Sequence, residues 1–191
     1  MKLDIVSQML LLSILLLLSH SPIIIIAQIE INKEQYLEVM KNLNQIETKS
    51  KLRYLLGREY NYSELLDWEH QRLNYTNESI NRYEDPIEIL NYGKGRCQEF
   101  SILYVALCLA NGYQSRFVID IYGDHTWAEI RLHDAWTHID PTERRINDPY
   151  MYERDWHKDI VLILAFEDDL CQDVTANYRR ENLTDFAAVV V

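Results

Sequence analysis

The 191 residues are 48% hydrophobic and 26% charged, an ordinary globular balance with room for one domain and a sizeable core. A formal charge of −11 argues against a nucleic-acid partner, because polyanion affinity rests on Lys and Arg neutralising phosphates; a neutral or cationic substrate is easier to accommodate. Three cysteines, Cys97, Cys108 and Cys171, without any C-x-x-C spacing, exclude a disulfide framework and give no metal ligand set.

Lys2 precedes an apolar run from Met9 to Leu18 broken only by Ser13, then Ser19-His20-Ser21-Pro22 and the apolar Ile23 to Ala27. The pattern reads as an export signal cleaved after Ala27 or as an uncleaved membrane anchor, since Met9 to Ile29 is long enough to span a bilayer, with a buried N-terminal helix as the alternative. Residues 1–27 are therefore set apart, 28–80 are expected to form a helical N-terminal region, and 81–191 the domain that carries the chemistry. Export would permit Cys108 to pair with Cys171 and leave Cys97 as a thiol; two buried reduced cysteines are the alternative.

Tyr36, Leu37, Val39, Met40, Leu43 and Ile46 predict a helix over 33–49. A second is expected over 63–73, with Ser63 as its N-cap and Leu65, Leu66, Trp68 and Leu73 facing inward. Sequons at Asn61, Asn74, Asn77 and Asn182 would mark surface if glycosylated. Asp85-Pro86 begins a short helix, and Gly93 and Gly95 make a permissive loop that delivers Cys97. From Cys97 to about Asn111 the chain is apolar on nearly every side, the pattern of a buried central helix, and Asn111-Gly112 stops it.

Three strands follow, over 115–122, 125–132 and 135–140, with His133-Asp134 as a turn. If that turn is a two-residue hairpin, Leu132 pairs with Ala135, Trp127 with Asp140, and His125 lies diagonal to Asp140 on the same face, within side-chain reach. Beyond Pro141, Asn147-Asp148-Pro149 is a turn, 150–157 carries Tyr152 and Trp156, Ile160 to Phe166 reads as a buried strand, and 171–180 as a polar edge segment.

A cysteine at a helix N-terminus loses its proton more readily, because unpaired backbone N–H groups and the helix dipole favour the thiolate, as does a protonated histidine beside it. In a Cys-His-Asp arrangement Cys97 attacks a carbonyl, His125 protonates the leaving amine and then activates water, and Asp140 fixes the imidazole tautomer and stabilises its charged form. His138 competes with His125 for the histidine role, but it lies only two residues from Asp140 on one strand, a poorer geometry for a side-chain pair.

These blocks resemble the transglutaminase-like superfamily, and within it peptide:N-glycanases. Gly95-Arg96-Cys97-Gln98-Glu99-Phe100 is similar to a recurring Gly-Arg-Cys-Gly-Glu-Trp, preceded by a similar stretch from Arg82 to Leu90. Asp124-His125-Thr126-Trp127-Ala128-Glu129 resembles Asp-His-Val-Trp-x-Glu, and Trp136 to Glu143 resembles Trp-x-His-x-Asp-x-x-Glu. Pro149, Tyr152, Trp156 and Lys158, then Asp173-Val174-Thr175 with Tyr178, continue the likeness to about Glu181.

The resemblance implies an α+β, papain-like or transglutaminase-like core, with a central helix bearing the nucleophilic cysteine packed on an antiparallel sheet. It implies hydrolysis of the amide between glycan and asparagine in a glycoprotein or peptide, with catalytic Cys97, His125 and Asp140, substrate-binding Glu99, Trp127 and Glu143, and no metal or cofactor; Trp127 reads equally as a core residue. Peptide cleavage and amide exchange onto lysine use the same triad, and a non-catalytic envelope module that binds glycan or peptide is the reading from another class. The family's C-x-x-C pairs are absent here, and Gln98 and Phe100 stand where the motif has Gly and Trp.

Overall fold

The computed structural model describes residues 22–77 and 84–180, with side chains from residue 33 onward. Residues 1–21 of the expected export segment, Arg82 and Tyr83, the Ser79 that completes the Asn77 sequon, the Asn182 sequon and the apolar 186–191 lie outside the described residues. Two compact units are delimited, 1–35 and 36–191. No described helix is long and apolar enough to cross a membrane.

Helix α1 spans Pro22–Asn44. Within the second unit its last turns bury Tyr36, Val39, Met40 and Leu43, the spacing read from sequence. The chain then breaks at Gln45 and re-enters α2, Ile46–Leu56, which ends at Gly57 in the left-handed conformation (φ 72°). Helix α3, Tyr62–His70, is capped by Asn61 rather than Ser63. Asn61 accepts from the Glu64 N–H at 2.9 Å, while the Glu64 carboxylate accepts from the Asn61 N–H at 2.9 Å. This reciprocal box outcompetes a lone serine cap, and the Ser63 hydroxyl instead donates to Asn61. Strand β1, Asn74–Tyr75, pairs in parallel with β2, Lys94–Gly95, on the far side of α4, Pro86–Tyr92, which Asp85 caps.

Helix α5, Cys97–Ala110, is the centre. Every residue from Gln98 to Cys108 is buried, and α2, α3 and α4 pack around it. It closes in a Schellman turn: Tyr113 N–H donates to Cys108 C=O, Gly112 N–H to Leu109 C=O, and Gly112 sits at φ 86°.

The sheet carries six strands in the order β6-β5-β4-β3-β7-β8, antiparallel throughout. They are β3 (Ser115–Asp120), β4 (His125–Leu132), β5 (Ala135–Asp140), β6 (Arg145–Ile146), β7 (Ile163–Glu167) and β8 (Leu170–Asp173). This is the α+β architecture expected from sequence. The β4–β5 register pairs Leu132 with Ala135 through Ala128 with Ile139.

Alternation along the strands gives the sheet two buried faces. Phe117 and Thr126 face the helices: Tyr36 stacks on Phe117 at 5.1 Å, and the hydroxyls of Ser101 and Thr126 lie 3.3 Å apart. Val118 and Trp127 face the other way, into a core of Met151, Tyr152, Ile160, Ile163, Ala165, Val174 and Tyr178. Helix α6, Met151–Arg154, and a 3-10 turn, Thr175–Tyr178, supply that second layer. The stretch expected as a polar edge is therefore half right. Strand β8 is an edge with mostly exposed residues, but Tyr178 is fully buried, because its ring and hydroxyl complete a network under β4.

Candidate active site

Cys97 is the first residue of α5, and its setting follows from the two residues before it. The Glu99 side chain folds back to accept from the Arg96 N–H at 2.9 Å. A Cβ on residue 95 would lie 2.6 Å from the Glu99 Cβ, so only glycine leaves room for that fold-back. Arg96, at the N-cap, is no acceptor, so the first-turn N–H groups are left unclaimed by a capping side chain at the end where the thiol sits.

His125 opens β4 after a tight turn. The Asp120 carboxylate accepts from the N–H groups of Tyr122 and Gly123 at 3.2 and 3.0 Å. A Cβ at Gly123 would fall 1.8 Å from the Asp120 carboxylate, so this turn also requires glycine. Asp140 closes β5. Its Oδ2 lies 2.7 Å from His125 Nε2 and accepts from the Tyr152 hydroxyl at 2.9 Å; its Oδ1 accepts from the Glu143 N–H at 3.0 Å. With Nε2 held by the carboxylate, Nδ1 is the ring nitrogen left for the Cys97 thiol, on which His125 and Thr126 both act.

The electrostatics follow from these contacts. Burial pushes the Cys97 thiol up, but the hydrogen bond and charge of His125, with Thr126, outweigh it and hold the thiol below its ordinary value. Burial likewise opposes charge on His125, yet its bonds to Asp140 and Cys97 raise it to about 9. Asp140 is fully buried, and His125, the Glu143 N–H and Tyr152 keep it below the usual carboxylate range. The balance favours thiolate and imidazolium over thiol and imidazole. Cys108, buried in the middle of the same helix, has its thiol pushed far up by desolvation. No disulfide joins Cys108 to Cys171.

His138 takes no part in the pair. The Asp148 N–H donates to its Nδ1 at 3.3 Å, so Nε2 carries the proton and donates to the Tyr152 hydroxyl at 2.8 Å. Burial lowers it to about 4, and it stays neutral. Through Tyr152 it supports Asp140 from behind.

Of the three residues expected in the cleft, two are buried beside the catalytic side chains. Trp127 is fully buried: its ring lies 5.8 Å from that of His125, and its Nε1–H donates to the Tyr178 hydroxyl at 2.7 Å. Tyr178 in turn donates to Glu129 at 2.7 Å, and Glu129 is paired at 2.5 Å with Arg116, which also donates to Gln172 at 2.9 Å. Trp127 and Glu129 are thus the floor that holds β4. Glu99 is 1% exposed and its Oε2 is committed to the helix end. Of the three, Glu143 alone has an exposed side chain.

Sequence reasoning left Tyr152 and Trp156 out of the site. The half-buried Trp156 meets the His125 ring edge-on at 4.7 Å and carries Lys158 over its own face at 5.1 Å. Their four-residue spacing was the available signal. Among the described residues no cluster of His, Cys, Asp and Glu is arranged to hold a metal ion.

A helix-borne cysteine, with its histidine and aspartate on neighbouring antiparallel strands, defines the papain-like class of α+β fold. The profile of the transglutaminase-like superfamily matches residues 48–141, the stretch that holds Cys97, His125 and Asp140. Over 108 residues it is 35% identical to a peptide-N(4)-(N-acetyl-beta-glucosaminyl)asparagine amidase of Oryza sativa subsp. japonica, covering 54% of this chain and 24% of the relative. Over 103 residues it is 37% identical to the enzyme of that name from Drosophila melanogaster, covering 53% and 16%. The matched stretch is thus a quarter or less of either relative's length. A crystal structure of Rad4-Rad23 bound to a 6-4 photoproduct UV lesion superposes with a TM-score of 0.56 at 11% identity, over 76% of this chain and 46% of that one, a likeness of fold alone.

Proposed function

We propose that the protein is a cysteine-dependent amide hydrolase that cleaves the bond between glycan and asparagine in a glycoprotein or glycopeptide. The observation that carries the reading is the buried His125–Asp140 pair, at 2.7 Å, with Cys97 as the first residue of α5 and its thiol held down by His125. The Cys97 thiolate attacks the side-chain amide carbon, a C–S bond forms, and the C=O π pair moves onto oxygen. Collapse of that oxyanion breaks the C–N bond as the His125 imidazolium gives its proton to the departing glycosylamine. Water, deprotonated by the now neutral His125, then hydrolyses the thioester and leaves aspartate where asparagine stood. Asp140 keeps the imidazole oriented throughout. Glu143, which is exposed, and the half-buried Trp156 are the substrate contacts in this reading. The similarity to the two named amidases supports the choice of substrate.

The test is mass spectrometry of a denatured N-glycopeptide incubated with the full chain, beside Cys97→Ala. Free glycan with asparagine converted to aspartate, lost in the variant, is the expected result. An intact glycan on a cut or cross-linked peptide would transfer the function to peptide cleavage or amide exchange. Export or anchoring is proposed on residues 1–27 alone, and recovery of the chain solely from a cytosolic fraction would overturn it.

A further inference from the structure

Gln98 follows the nucleophile directly, is 7% exposed, and has a buried Nε2 with no hydrogen-bond partner. An amide N–H kept dry and unpaired is destabilising, so such a group in a native fold calls for an acceptor that arrives later. Its position says where. Side chains on a helix lean toward the helix N-terminus, which directs the carboxamide of the second residue of α5 toward the end whose N–H groups Arg96 leaves uncapped. Position 98 is glycine in the motif this segment resembles, so the donor is particular to this chain.

We propose that Gln98 is an oxyanion donor: with the Cys97 backbone N–H it hydrogen-bonds the oxygen of the carbonyl that Cys97 attacks. The inference rests on the nucleophilic role given to Cys97 above. In the step concerned the sulfur–carbon bond forms and the carbonyl π pair becomes an oxyanion lone pair. Donors fixed beforehand at that oxygen stabilise the transition state more than the ground state.

Two reagents separate this role from a structural one. p-Nitrophenyl acetate acylates a thiolate through a tetrahedral oxyanion and releases p-nitrophenolate, whereas iodoacetamide alkylates it by direct displacement of iodide at a saturated carbon, with no oxyanion. Gln98→Met keeps the length and removes the donor; Gln98→Gly removes the side chain. Both are assayed on the full chain after circular dichroism shows a native spectrum. Expected is a fall in the acylation rate of about 10²- to 10³-fold in each variant, with the alkylation rate as in wild type. Unchanged acylation in a folded variant would overturn the proposal, as would equal loss of acylation and alkylation, which would mean that Gln98 acts on the thiol. Wild-type protein whose Cys97 resists both reagents would overturn the nucleophile itself, and the Gln98 inference with it.

Discussion

At the scale of single residues the site is a proton held between three groups. His125 binds it more tightly than a free imidazole does because Asp140 and Cys97 both favour the charged ring. The active pair is present above the pKa of Cys97, which is lowered, and below that of His125, about 9. On the proposed mechanism the rate of amide hydrolysis should therefore rise as the thiol ionises and fall as pH passes about 9, when the leaving nitrogen loses its acid. Asp140→Asn removes the hydrogen bond and charge that raise His125, so the alkaline limb should move toward neutrality and the rate drop by about 10⁴-fold, as in serine-protease triads. A pH–rate profile of the two proteins checks both; an alkaline limb unmoved in the variant would assign it to another group. Tyr152→Phe removes one of the bonds that Asp140 accepts, a loss of about 1 kcal/mol, or five- to tenfold in rate, without the tautomer change. Sequence alone placed His125 beside Asp140 because a two-residue hairpin fixes register. It left His138 as a competitor, because its burial and the Tyr152 and Asp148 N–H partners that fix its tautomer come from another segment.

At the scale of elements, local chemistry was legible and long-range partnership was not. Helix α5 announces itself by being apolar all round, and β4 and β5 by alternation about a turn. Trp127 stays open between cleft and core in the sequence because only Tyr178, 51 residues on, reveals that its indole N–H is satisfied underneath the sheet. Asn61 and Ser63 were both able caps, and the choice turned on the Glu64 side chain. The hairpin is itself imperfect: His133 and Asp134 sit at φ 49° and 64°, the conformation of a type I′ turn, where Asn-Gly is the favoured pair. Left-handed backbone at non-glycine residues is strained by at least about 1 kcal/mol each. His133→Asn with Asp134→Gly should therefore stabilise the protein by about 1 kcal/mol, read as a higher urea midpoint at unchanged slope. A lower midpoint would mean that one of the native side chains is used elsewhere.

For the molecule as a whole the most consequential buried group lies away from the site. Glu69, on the inward face of α3, is 0% exposed, and neither carboxylate oxygen has a hydrogen-bond partner. Desolvation raises its pKa well above 4.5, and it is close enough to Tyr104 and Cys108 to push both of theirs upward as well. Folded protein therefore keeps a proton on Glu69 that the unfolded chain releases above about pH 4.5. Below that pH both states hold the proton and nothing is lost. Above it the unfolded state binds fewer protons, so this residue's contribution to stability declines as pH rises, by up to about 1.4 kcal/mol per pH unit until the folded carboxyl also ionises. Other groups act in the opposite sense: His138, neutral in the fold, adds stability between about pH 4 and 6.5 as the pH rises. The net curve of the wild type therefore hides the effect, and a comparison isolates it. Glu69→Gln keeps the shape and cannot ionise, so its stability relative to wild type, from urea unfolding, should increase steadily between pH 5 and pH 8. A difference independent of pH would show that Glu69 is hydrated or paired in solution, and that its burial does not limit the stability of the helical layer at neutral pH.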